Sequence, residues 1–75
     1  MSTRKITMDM VKVGLNVYPT QAQVDAYDAV PTVLIHVDPD HVDMYGTGEV
    51  KTQDYSGCAC NRYSFDYLIE HYTTD

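Results

Sequence analysis

The chain reads as a single α+β domain: a small, mostly antiparallel sheet of three to four strands with two helices, in the order β-α-β-β-(β)-α. Three observations predict it. Apolar residues alternate with polar ones over residues 6 to 18. A β-branched run, Thr32 to Val37, follows Pro31 and precedes Pro39. Phe65, Leu68, Ile69 and Tyr72 recur at helical spacing. With 75 residues there is room for one core, so residues 1–75 form one domain. At that size the net stability is roughly a few kcal/mol, and a staple such as a metal, a disulfide or a second copy would help.

In the first segment Ile6, Met8 and Met10 share one phase, and Val11, Val13, Leu15 and Val17 the other. A single added residue flips every later side chain, so a bulge or a junction of two short strands is expected at Met10-Val11, with Gly14 favouring a bend. Pro19-Thr20-Gln21-Ala22-Gln23 carries a capping-box signature, Thr20 as cap and Gln23 three residues on. The helix it starts is expected to run to Val30, with Val24, Tyr27 and Val30 on the buried face, Gln21, Asp25 and Asp28 on the other, and Pro31 as the stop. Thr32 to Val37 is then a largely buried strand.

Asp38-Pro39-Asp40 has turn chemistry and predicts a hairpin, with a return strand over His41 to Tyr45. Gly46-Thr47-Gly48 opens a second turn into a further strand, Glu49 to Tyr55. After Ser56-Gly57 a final helix is expected, capped by Asn61 or Ser64. Its apolar stripe is Phe65, Leu68, Ile69 and Tyr72. Tyr63, Asp66, Tyr67 and Glu70 form a second, acidic and aromatic stripe roughly opposite.

Charge narrows the function. The formal net charge is -6, and between Lys12 and Lys51 the chain has no Lys or Arg, yet holds Asp25, Asp28, Asp38, Asp40, Asp43 and Glu49. Six carboxylates that repel one another weaken a small fold, so their partner should be basic or cationic. The same charge argues against direct contact with nucleic acid or anionic lipid, whose phosphates are repelled. Asp9 and Lys12 interrupt what would be the apolar part of an export signal after Arg4-Lys5. No run of about 18 apolar residues spans a bilayer. With two cysteines and no export signal, cytoplasmic residence is the expectation.

Two clusters invite chemistry. His36, Asp38, Asp40, His41 and Asp43 lie within eight residues and offer oxygens to Ca²⁺ or Mg²⁺, or imidazoles to a transition metal. The spacing departs from the calcium-binding loop, since no glycine stands at the turning position and Val42 occupies a ligand position. A solvated turn, with Asp38 and Asp40 accepting from turn amides, is the simpler reading. Cys58-Ala59-Cys60 offers two thiolates to join His36, His41 or His71 around zinc, although a one-residue gap is tight for two sulfurs on one ion. Two reduced thiols entering the final helix are the simpler reading. No nucleophile elbow, phosphate loop, zinc-protease motif or dinucleotide fingerprint occurs, and a chain this short has little room for a substrate cleft. Neither enzymatic activity nor a cofactor is expected.

The acidic and aromatic residues carry the functional expectation. Asp25, Asp28, Asp38, Asp40, Asp43, Tyr63, Asp66, Tyr67 and Glu70 are the candidate partner-binding set. Tyrosine supplies contact area at low entropic cost, and neighbouring carboxylates pair with Arg or Lys. On an extended segment Asp38 and Asp40 would project alike about 6.6–6.8 Å apart, giving a row of charge. In size, charge and composition the chain resembles the small acidic inhibitors encoded by phages and other mobile elements. That resemblance implies a non-enzymatic protein that blocks the basic, nucleic-acid-binding surface of a host enzyme, such as a CRISPR effector, a restriction nuclease or RNA polymerase. Carboxylates would stand in for phosphates. Two other readings stay open: a small metal-binding domain using His36, Asp38, Asp40, His41, Cys58 and Cys60, and a self-associating assembly subunit, for which a homodimer is the simplest form.

Overall fold

The computed structural model describes residues 3–57 and 60–75. It corrects the expected sheet of three to four strands: six antiparallel strands form one sheet, accompanied by two short helices. The strands are β1 (Arg4–Lys5), β2 (Asn16–Pro19), β3 (Thr32–Asp43), β4 (Gly46–Asp54), β5 (Cys60–Ser64) and β6 (Tyr72–Thr74), in the spatial order β1-β6-β2-β3-β4-β5. Helix α1 covers Gln21–Tyr27 and α2 covers Phe65–His71. The sheet is richer than expected because both ends of the chain and the approach to α2 are extended rather than coil or helix.

Residues 6 to 18 do not form one strand. A 3₁₀ turn at Met8–Met10 occupies the point where the apolar phase slips, and Gly14, at φ 95°, bends the chain into β2. Gly14 donates its N–H to Leu34 at 2.8 Å and Leu15 accepts from Leu34 at 2.9 Å, so the bend is pinned to β3. Helix α1 ends three residues early, with Asp28 in the left-handed region at φ 54°. Its expected apolar face is therefore not the buried one: Tyr27 is 72% and Val30 50% exposed, while Gln23 is buried. Thr20 makes no side-chain capping bond. Gln23 instead donates its Nε2 to the Tyr67 hydroxyl at 2.8 Å, tying α1 to α2.

Asp38-Pro39-Asp40 does not reverse the chain. It lies inside β3, where Pro39, Asp40 and His41 stand opposite the single residue Gly48 between the pairs Asp38–Glu49 and Val42–Thr47. Such a bulge suits a proline, which has no N–H to give the ladder. The Asp38 carboxylate accepts the Asp40 N–H at 3.1 Å and so holds the bulge, instead of forming the expected row with Asp40. The hairpin turns later, between Asp43 and Gly46. A second bulge at Ile35 reverses the facing of β3, which is why Thr32 and Leu34 are buried while Ile35 and His36 are exposed.

The final helix is shorter than expected, because β5 and β6 flank it. Ser64 caps it, its hydroxyl accepting the Tyr67 N–H at 3.2 Å. Phe65, Leu68 and Tyr72 enter the core with Ile6, Val17, Leu34 and Val50, and Ile69 packs at its margin. The stripe read from the sequence thus faces inward as its spacing requires, with Tyr72 as the first residue of β6. Gly48 sits on β4 at φ 93°, directly beneath the Phe65 ring. A glycine in a strand marks just such a close approach.

Candidate functional site

Where α1 stops at Asp28, the chain leaves the sheet and opens a cavity of about 350 Å³. Tyr27, Asp28, Ala29 and Val30 line one side, and Tyr63, Tyr67 and Tyr72 another. Thr32, Asp54 and Asn61 from three neighbouring strands, with Gln23 from α1, complete it. Four of the seven tyrosines of the chain therefore meet at one place.

The aromatic wall is ordered. Tyr63 and Tyr67 stack with ring centroids 4.8 Å apart and an 8° angle between planes. Tyr72 tilts against Tyr63 at 5.6 Å, and His71 against Tyr67 at 4.4 Å. Burial, with the Tyr63 hydroxyl next to it, pushes the Tyr72 phenol well above the ordinary tyrosine range. The sign follows: the folded state holds a proton that the unfolded state releases near pH ~10, so stability falls as pH rises above that point. Denaturant melts across the alkaline range should show this fall, and Tyr72→Phe should make it shallower; equal slopes would mean that the phenol is not held in this way.

The cavity carries negative charge at its edge. Asp28 and Asp54 both line it, and Asp54 accepts the Ser56 hydroxyl at 2.8 Å. Thr32 is buried, and its hydroxyl has no hydrogen-bond partner among the described residues. Exposed Tyr27 and Val30 extend the apolar surface outward. Aromatic rings beside carboxylates attract a cation through both the ring quadrupole and the formal charge.

Of the expected partner-binding residues, the fold brings Asp28, Tyr63 and Tyr67 together here. Asp25 lies on the exposed face of α1, its carboxylate accepting from Gln21 Nε2 at 2.8 Å. Asp38, Asp40 and Asp43 belong to the β3–β4 hairpin, Asp66 is exposed on α2 with its carboxylate beside Gly46, and exposed Glu70 lies 3.7 Å from His71. Sequence reasoning missed Gln23, Tyr27, Asp54, Asn61 and Tyr72. Tyr27 and Tyr72 had been assigned to apolar helix faces, and Asp54 and Asn61 reach the cavity only through strand pairing between distant segments.

The metal candidates separate in the same way. His36 is exposed, Asp38 and Asp40 shape the bulge, and Cys60 is a free, exposed residue at the start of β5 rather than of a helix. Cys58 lies outside the described residues. Among the described residues of that set, His41 alone converges on carboxylates, with Asp43 and Glu49; the three offer ligand atoms within 4.8 Å of one another. His41 Nε2 is 2.8 Å from Asp43 Oδ2 and 3.2 Å from Glu49 Oε2.

Comparison with known proteins adds no relative: no family model, no curated protein and no solved structure matches the chain. Among the described residues no helix is long and apolar enough to cross a membrane.

Proposed function

We propose that this chain is a non-enzymatic binding domain that docks on the basic surface of a protein partner and inhibits it by occupying that surface. The observation that carries the reading is the tyrosine-lined cavity edged by Asp28 and Asp54. Its dimensions and chemistry fit the end of an Arg or Lys side chain, with stem against the rings and charge toward the carboxylates. Tyr27 and Val30 supply the apolar contact that surrounds such an anchor. The scattered position of the other acidic residues favours a few anchored contacts with long-range steering by the net charge of -6. A continuous row of phosphate mimics is not required.

Nucleic-acid enzymes carry such a basic surface, because their grooves gather Arg and Lys against phosphates. A CRISPR effector, a restriction nuclease or RNA polymerase in a host cytoplasm fits this reading. The test is capture from bacterial lysate by immobilised parent protein and by Tyr27→Ala/Asp28→Asn. Both changes fall on exposed positions, and asparagine tolerates the left-handed backbone of residue 28. The parent should retain a stoichiometric nucleic-acid enzyme that moderate salt or added DNA releases. The double variant should bind it at least about tenfold more weakly, equivalent to roughly 1.4 kcal/mol. Equal capture by both proteins, or capture that salt and DNA leave untouched, would overturn the reading.

A further inference from the structure

The β3–β4 hairpin holds a second site that the partner-binding reading does not use. We propose that His41, Asp43 and Glu49 bind a first-row divalent transition ion on one open face. His41 belongs to the bulge opposite Gly48, Asp43 to the hairpin end, and Glu49 to β4. The bulge matters because two of its residues are extra to the ladder, which brings the His41 ring back toward Glu49.

The geometry that lets His41 pair with Asp43 and Glu49 also suits chelation. One imidazole nitrogen carries at most one hydrogen, yet Nε2 faces carboxylate oxygens at both 2.8 and 3.2 Å. A single N–H does not point well at two acceptors, whereas a cation between them receives a lone pair from all three atoms. An octahedral ion with bonds of about 2.0–2.2 Å sets adjacent ligand atoms about 2.8–3.1 Å apart. The two observed separations bracket that spacing. Calcium, with bonds of about 2.3–2.6 Å, needs roughly 3.3–3.7 Å and fits less well. The nitrogen donor also favours a transition ion over magnesium.

The ligands are held from behind. Asp43 Oδ1 accepts the Tyr45 N–H at 2.8 Å, leaving Oδ2 turned toward His41. That is the outer support that fixes a ligand's orientation. The Glu49 side chain is only 13% exposed and stands on a paired strand. Beside the triad a smaller cavity of about 130 Å³, lined by Asp43, Glu49, Tyr45 and Arg62, has space for waters to fill the remaining positions. Arg62 brings one positive charge to this region against the two carboxylates.

The test uses Co²⁺ alone, whose visible spectrum reports its coordination, with isothermal titration for stoichiometry. The parent protein should bind one Co²⁺ saturably, and its melting temperature should rise with Co²⁺ concentration. His41→Asn and Glu49→Gln should each weaken binding by about tenfold or more, while His36→Gln and His71→Gln leave it unchanged. Circular dichroism of each variant establishes that it is folded, and either ligand variant suffices. Absence of saturable binding by the parent would overturn the proposal. So would binding that survives in both ligand variants, or is lost equally in the control variants.

Discussion

Gly48→Ala unfolds most of the protein at room temperature. A Cβ built on Gly48 would stand 2.4 to 2.6 Å from three carbons of the Phe65 ring, where non-bonded carbons need about 3.5–4.0 Å. The ring cannot step aside, because Phe65 is 6% exposed, packed in the core and fixed at the first turn of α2. Overpacking of this kind costs about 1–3 kcal/mol. Holding a non-glycine residue at φ 93° adds a further cost of order 1–3 kcal/mol. The sum rivals the roughly 3–5 kcal/mol that a core of this size supplies. Urea titration followed by circular dichroism checks it. Phe65→Leu in the Gly48→Ala background should recover part of the loss, because it removes ring atoms from the clash while the backbone strain persists. A Gly48→Ala protein that melts with the parent would show that the β4 backbone and the ring do not meet.

Leu68→Ala should destabilise the domain by about 2–5 kcal/mol, the range for deleting a fully buried leucine. Leu68 has no exposed surface, while its neighbour Ile69 packs only at the edge of the core. Ile69→Ala should therefore cost clearly less, although both residues lie on the same helix and one apolar stripe. Thermal melts of the two variants decide the order, and equal losses would contradict this placement of the core.

How much of this was legible depends on the range of the interaction concerned. The inward face of α2 was readable because Phe65, Leu68 and Tyr72 meet the core through a local period, and Ser64 was one of the two caps expected, with Asn61 the other. The strand character of Thr32 to Val37 was readable from its β-branched run. The bulge at Ile35 was not, because the run contains no polar alternation whose phase a bulge would break, and the bulge at Pro39 to His41 was hidden behind turn chemistry. The two prolines misled in different ways. Pro31 implied that α1 runs up to it, whereas Asp28 already ends the helix in a left-handed turn. Pro39 implied a reversal, whereas it occupies the unpaired part of a long strand.

The site was half legible for the same reason. Asp28, Tyr63 and Tyr67 were selected by composition and charge, but Tyr27 and Tyr72 were assigned to helix faces by spacing alone. Gln23 was assigned to a capping box, and only the tertiary fold, which brings α1 near Tyr67, sends its amide to that hydroxyl. Glu49 was counted as charge rather than as a ligand, because its approach to His41 depends on strand register.

Strand β6 lies between β1 and β2 although, among the described residues, seven secondary-structure elements separate it from β1 in the sequence. The sheet therefore closes by inserting residues 72–74 between strands that begin at residues 4 and 16. Every closing contact spans most of the chain, and loop-closure entropy must be met before those contacts form. During synthesis the hairpin of β3 and β4 can assemble early, but β1 has no neighbour until Tyr72 to Thr74 have left the ribosome. The Tyr72 ring that completes the cavity wall arrives with them, so the wall cannot be whole before the end of the chain has been made.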